Sequence, residues 1–357
     1  MINEKRLLDT FIGYAMIDSE TKNEKAMGEK LVEDLKALGL EVKTDKAGEG
    51  FGSNGFNVCA YLPGTIPGEP TIMCAHMDTV TPGNGIKPLI DDGIIHTDGS
   101  TILSGDDKSG IAAIMEAVKV IKEQNLPCRN TEILFTIGEE GGMNGVKNMD
   151  LSMIKGKEAM VFDASGDVGK ILTCGPGQIK IFATIIGRSS HAGLAPEEGI
   201  SAIQVAAKGI AKMNLLRIDE ETTCNIGTLK AEFVAEVRSR NLDKLNAQAA
   251  HMQKCLQDAC DEMGAKLEIE LKTNYVSFNV ANDDPMVQRV FESCKRIGCE
   301  PMTAKGGGGS DANVMALHGI KPIILSTGMT KVHTTGETLK IENLNKCAEL
   351  VLDLMTH

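Results

Sequence analysis

Hydrophobic and polar positions divide this chain into two stretches of different character, with the change at Gly175-Pro176-Gly177. Before it, apolar runs of strand character alternate with segments of helical spacing. The runs are Thr71-Ile72-Met73-Cys74-Ala75, Glu132–Ile137 and Ala159–Phe162. Between Ser19 and Leu38, Ala26, Leu31, Val32, Leu35 and Leu38 recur at helical spacing, and Gly39 offers a C-cap. A further helix is predicted from Lys108 to about Gln124. Strands alternating with helices predict an α/β domain with a mostly parallel sheet and helices on its faces.

After Gly177 the strand signal becomes a strict alternation, with Ile179, Ile181, Ala183 and Ile185 on one face. A helix from about Pro196 to Asn214 follows, then strands Thr222–Leu229 and Ala231–Ser239, a long helix Leu242–Met263 and a strand Lys266–Tyr275. This β-α-β-β-α-β order is the split βαβ, ferredoxin-like arrangement. Past Asp283-Asp284-Pro285 the α/β character returns with a helix, a Gly-rich turn, a second helix and the strand Lys321–Ser326. The pattern therefore predicts a larger α/β domain from residues 1–175 and 285–357, with a smaller α+β domain, 176–284, inserted into it. One join resists this reading. Thr228-Leu229-Lys230-Ala231 holds none of the Gly, Asn, Asp or Pro that a hairpin turn needs. Either the two strands are one, or a connecting loop is lacking.

The 357 residues exceed the comfortable size of one core, which agrees with two domains. A net charge of -12 and only 3% aromatics argue against a nucleic-acid partner, which would need clustered cations or stacking platforms. No apolar h-region follows Met1, and no run approaches the ~20 apolar residues that span a bilayer. The ten cysteines lie at spacings that suit neither a zinc knuckle nor a redox motif. They read as free thiols of a cytoplasmic protein without a membrane partner.

The chemistry lies in acidic residues and histidines placed where strands are predicted to end, the position at which open α/β sheets bind ligands. His76 and Asp78 are two apart on an extended segment, so the imidazole can ligate a metal while the aspartate accepts its other N–H. Asp106 and Asp107 follow Ser104-Gly105 and precede a helix. Alone they would read as an N-cap with an acidic first turn, but one of them can bridge two cations. Glu139 and Glu140 diverge between an apolar strand and Gly141-Gly142, so one can ligate while the other holds a water as general base. Asp163 and His333 would complete two coordination spheres. Two divalent ions, three ligand carboxylates and a hydroxide leave the assembly near neutral, so it can be partly buried. Nitrogen and oxygen ligands without thiolate suit zinc, with cobalt or manganese as substitutes. Lys305–Asp311, rich in glycine, can aim backbone N–H groups at a substrate carboxylate or carbonyl. His96 reads as structural.

In this order the motifs resemble the M20 family of dinuclear metallopeptidases, most closely its peptidase T-like (tripeptide aminopeptidase) branch, over nearly the whole chain. The resemblance is carried by His76-Met-Asp78-Thr79, Leu103–Gly110, Glu139-Glu140-Gly141, Asp163, Ser190-His191-Ala-Gly193, Arg238-Ser239, Gly307–Asn313 and His333-Thr334-Thr335-Gly336-Glu337. It implies that His76 and Asp163 ligate one metal, Glu140 and His333 the other, and that Asp106 bridges them. It further implies that Asp78 orients His76, Glu139 is the general base and acid, His191 polarises the scissile carbonyl, and Arg238 grips a substrate carboxylate. Ser310, within the Gly-rich motif, is a candidate substrate contact.

Two departures stand against the family pattern. Leu103-Ser104-Gly105 replaces the usual Leu-Gly-Ala, and the segment from Gly227 to Ala231 lacks an Asn-Ile-Val-Pro-like stretch with a substrate-contacting asparagine. The expectation is a di-zinc peptidase releasing the N-terminal residue of small peptides. Family relatives also imply a homodimer paired through the lid, with His191 serving the neighbouring subunit. The competing readings are an N-acyl amino acid deacylase or carboxypeptidase on the same fold, and a non-catalytic metal-binding relative.

Overall fold

The computed structural model describes residues 1–190, 195–229 and 232–357. They divide into two compact units. One comprises Met1–Thr173, Val280–Lys305 and Ser310–His357, and the other Cys174–Asn279 with Gly306–Gly309.

The main sheet of the first unit contains β1 (Glu41–Thr44), β2 (Val58–Leu62), β3 (Ile66–His76), β4 (Arg129–Thr136), β5 (Glu158–Ala164), β6 (Lys170–Gly175) and β7 (Lys321–Ser326). Their spatial order is β1-β2-β4-β3-β5-β7-β6. The four central strands β4, β3, β5 and β7 are parallel, and antiparallel strands flank them. Ile72, Met73, Cys74 and Ala75 are all buried, as expected where helices cover both faces and strands read as unbroken apolar runs. Each such Ile or Met side chain contributes roughly 1.5–3 kcal/mol by leaving water. The parallel arrangement also aims the ends of β3, β4 and β5 in one direction, with His76 level with Thr136 across the β3–β4 pair.

The helices of this unit are α1 (Glu4–Ala15), α2 (Lys25–Ala37), α3 (Gly105–Gln124), α4 (Pro285–Arg296), α5 (Asp311–Leu317) and α6 (Ile341–Thr356). α3 is buried almost all round and packs on α1, β3 and α6. Asp106 and Asp107 have non-helical dihedrals, so the regular helix begins at Lys108, and Asn125 ends it in the left-handed region. α2 is shorter than its apolar pattern because Ser19–Asn23 is used elsewhere. Ser19 Oγ donates to the Met77 carbonyl, and the Thr79 amide donates to the Ser19 carbonyl, bracing the loop beyond β3. A small antiparallel sheet pairs Met329–Thr330 with Thr338–Lys340, and places residues 331–337 as its hairpin loop.

The second unit has one antiparallel sheet, ordered Leu216–Arg217, Thr222–Leu229, Glu232–Ser239, Gly177–Ile186, Lys266–Tyr275. Apart from the short first strand this is the split βαβ order. Ile179, Ile181, Ala183 and Ile185 point at the helices Ala202–Ile210 and Leu242–Met263, burying against Val205, Leu245, Ala249, Met252 and Leu256. The first of those helices is shorter than its pattern. Pro196–Glu198 forms a separate 3₁₀ turn, Ser201 caps the helix by accepting from the Gln204 amide, and the Asn214 carbonyl is taken by Gln248 Nε2. Thr222–Leu229 and Glu232–Ser239 are two separate antiparallel strands, with Leu229 opposite Phe233, so the single-strand alternative is corrected. Residues 230 and 231, which join them, lie outside the described residues. No described helix is long and apolar enough to cross a membrane.

Candidate metal centre

Three strand ends and two loops of the first unit gather the acidic and histidine motifs. His76 is the last residue of β3, and Asp163 lies near the end of β5. Glu139 and Glu140 follow β4 through Gly138, whose φ of 61° makes the turn away from the strand. Asp106 lies on the non-helical first turn of α3, and His333 on the loop between Met329–Thr330 and Thr338–Lys340.

Asp106 stands between the two imidazoles. Its Oδ1 is 3.1 Å from His76 Nε2 and its Oδ2 3.2 Å from His333 Nε2. His76 Nε2 is also 3.7 Å from Asp163 Oδ1, and His333 Nε2 is 2.9 Å from Glu140 Oε1. Donor atoms of His76, Asp106 and Glu140 all lie within 4.8 Å of one another. Burial alone would drive His76 neutral, but Asp106, Asp163 and Asp78 outweigh it and hold its pKa well above the ordinary value. Hydrogen bonds to Asp106 and Glu140 raise His333 to about 10. Asp106 is buried, yet its hydrogen bonds from His333 and His76 keep it well below the usual carboxylate range. Asp163 and Glu140 are pushed up by burial. Carboxylates at this density need positive charge among them, from protons or from cations. The nitrogen/oxygen donor set, the burial and the shared carboxylate fit two divalent ions.

Glu139 is pushed well above its ordinary value, first by burial and then by the charge of Asp163. A carboxyl in that environment suits a proton carrier better than a solvated surface group.

Asp78 differs from expectation. The acceptor for His76 Nδ1 is the backbone carbonyl of Asp78 at 2.9 Å, while its carboxylate is 3.6 Å away. That carboxylate instead accepts from the Glu139 amide at 2.9 Å, the Glu140 amide at 3.2 Å and Thr21 Oγ1 at 2.7 Å. Three N–H and O–H donors compensate its complete burial, so it holds the backbone of the Glu139-Glu140 pair. Asp107, also fully buried, accepts from the His76 amide through Oδ2 and holds the strand end.

Ser310 Oγ donates to Asp163 Oδ2 at 2.7 Å, so its hydroxyl orients that carboxylate. The next residue, Asp311, is buried with Oδ2 accepting from Thr136 Oγ1, and burial pushes it up to about 7. A carboxyl group at the start of α5 weakens the expectation of an anion site there. His191 lies outside the described residues. Arg238 belongs to the second unit, where its Nη2 is 3.4 Å from Glu236 Oε2 and its buried Nε has no partner among the described residues. His96 pairs with Asp91 and the Thr97 carbonyl in the strand Ile94–His96.

Glu337 closes the His333-Thr334-Thr335-Gly336-Glu337 motif, and its place in the sequence suggests no task for it. It is 1% exposed, and its carboxylate accepts from the amides of Leu103 at 2.9 Å, Ser104 at 3.0 Å and Asp106 at 2.9 Å. Burial pushes it up to about 7. Its only sequence signal was an acid four places after His333, with partners more than 230 positions away.

Comparison with known proteins agrees with this chemistry. The uncharacterized protein YqjE of Bacillus subtilis (strain 168) is 41% identical over 366 residues, covering 99% of each chain. The crystal structure of aminopeptidase PepT from Bacillus cereus ATCC 10987 superposes with a TM-score of 0.93 at 42% identity, covering 99% of this chain and 98% of that one. A tripeptidase from Staphylococcus aureus subsp. aureus mu50 gives 0.95 at 38% identity, covering 100% and 98%. The model of peptidase family M20/M25/M40 matches residues 72–357. The chain therefore belongs to peptidase family M20/M25/M40 and is a metal-dependent peptidase.

Proposed function

We propose that this peptidase is a di-zinc aminopeptidase that releases the N-terminal residue of small peptides, tripeptides foremost. The observation that carries the reading is Asp106 set between His76 and His333, one carboxylate oxygen to each imidazole. In it, His76 and Asp163 would hold one ion and Glu140 and His333 the other, with Asp106 shared. Bound there, zinc, or cobalt or manganese in its place, would polarise a carbonyl oxygen and acidify a water.

Glu139 takes the proton of the attacking water, and returns it to the leaving amine as the C–N bond breaks. It must be ionised to begin, and the added positive charge of a loaded centre favours this against its burial. Asp78 fixes both glutamates by their amides, so that base and ligand keep their separation. Ser310 holds Asp163. By the family resemblance, His191 would polarise the scissile carbonyl and Arg238 would grip the substrate carboxylate.

The tripeptidase and PepT structures, at 38% and 42% identity, support a short peptide as substrate. Nine of the ten free thiols are buried and one is partly buried, which fits a reducing cytoplasm. The strand Lys266–Tyr275 pairs only with Gly177–Ile186 among the described residues, leaving an edge that a second copy can extend into a homodimer.

The test is a panel of tripeptides, their N-acetylated and C-terminally amidated forms, dipeptides and acyl-amino acids, assayed with added zinc or cobalt. Rapid cleavage of free tripeptides at the first bond is expected. Hydrolysis confined to acyl-amino acids, or to the last peptide bond, would replace the reading with a deacylase or a carboxypeptidase. Binding of metal with no turnover of any member would reject short peptides as the substrate.

A further inference from the structure

Glu337 is a buried carboxylate that no reaction step uses, and no Lys or Arg ion-pairs with it among the described residues. Its charge is compensated by three backbone amides of the Leu103–Asp106 turn. Buried charges persist only when they are well satisfied, so this arrangement is held firmly in place. The turn it holds is strained, since Ser104 has a φ of 69°. A non-glycine residue in the left-handed region costs of order 1–3 kcal/mol and persists where surrounding contacts over-determine it. The glycine at 105 fits the same contact, because a Cβ there would lie 2.9 Å from Glu337 Oε1.

The other end of the contact is the loop that carries His333. The Glu337 amide donates to the Thr334 carbonyl, and Thr334 Oγ1 donates to the Lys331 carbonyl, so the segment from 331 to 337 is a closed turn. His333, half exposed and with a φ of 61°, has little packing of its own to fix it. One carboxylate thus ties the backbone of Asp106 to the loop of the histidine that Asp106 faces at 3.2 Å.

We propose that Glu337 is the positioning residue of the metal centre, setting the distance between Asp106 and His333 so that one carboxylate serves both metal positions. The inference rests on the metal-centre reading above. Replacing Glu337 removes an acceptor from the turn, lets Asp106 and His333 drift apart, and weakens the hold on both ions through the ligand they share. Groups that orient metal ligands typically alter affinity by ~10–100-fold when changed.

The experiment measures zinc dissociation constants of the parent and of Glu337→Gln by competition with a chelator, alongside the unfolding temperature of each metal-free protein. The amide would turn an N–H₂ toward at least one backbone N–H. Both constants should rise ~10–100-fold, and the rise in Tm on adding zinc should shrink. A residue with a purely structural role would lower the metal-free and loaded Tm together and leave the constants unchanged, and that result overturns the proposal. Glu337→Asp keeps the charge but shortens its reach, and it answers the same question if the amide variant does not fold. A parent protein that takes up no zinc would reject the metal-centre reading itself. A parent that binds two ions, with a folded variant that holds them as tightly, would reject the role of Glu337 alone.

Discussion

His76 and His333 reach opposite oxygens of Asp106, yet one closes a buried strand and the other sits on a hairpin loop. The His76 side chain is 2% exposed and that of His333 52%. His76 is fixed by the pairing of β3 with β4, by Asp107 at its amide and by the Asp78 carbonyl at Nδ1. His333 is fixed by a short turn and by the reach of Glu337 across it. The difference teaches that one side of the centre is inherited from the sheet, whereas the other must be assembled from loops. The sheet side should therefore bind its ion more tightly and exchange it more slowly, leaving the loop side open to water and substrate.

The largest expected effect comes from Asp106→Ala, which takes a ligand from both sides at once. Both ions should be lost together by metal analysis, with turnover falling to background. One full equivalent still tightly bound would mean that the two sides do not share this carboxylate. Glu139→Gln should leave both sides loaded while turnover falls ~10²–10⁴-fold, the usual cost of losing a general base. A metal-free variant would instead place Glu139 among the ligands and Glu140 at the base.

The contrast between the histidines is sharpened by comparing His76→Ala with His333→Ala in the metal-free protein. Removing His76 leaves Asp163 buried without a cationic partner and Asp106 with His333 alone, at a cost of about 3–5 kcal/mol in denaturant unfolding. Removing the half-exposed His333 should cost at most about 1 kcal/mol. Equal losses would erase the distinction between strand and loop.

The smallest effect is in pH dependence. The folded-state pKa of His333 is about 10 and its unfolded value ~6.5, so the imidazolium is worth most below the unfolded value. The stability difference between the metal-free parent and His333→Ala should be greatest near pH 6 and decline toward zero as pH rises to about 10. A difference that grows with pH would show that Asp106 and Glu140 do not hold this proton.

Much of this was legible along the chain. Unbroken apolar runs marked β3, β4 and β5 because parallel strands are covered on both faces. The alternation Ile179, Ile181, Ala183, Ile185 marked a sheet with one buried face. The helix after the aspartate pair could be placed because local spacing carries it. Helix ends were less legible. α2 lost its first residues to bracing the loop beyond β3, and the helix expected from Pro196 to Asn214 is confined to Ala202–Ile210.

Residue types and their order along the chain also determined which groups could serve as ligands, since histidine and carboxylate chemistry belongs to the residues themselves. Tertiary structure alone decided how the carboxylates divide their work. Asp78 holds two amides about 60 positions away besides facing the imidazole two positions away at 3.6 Å, and Glu337 holds a turn more than 230 positions away. A carboxylate takes whichever donors the fold brings within about 3 Å. That proximity is set by the pairing of parallel strands and the closing of loops between distant segments, and no local periodicity records it.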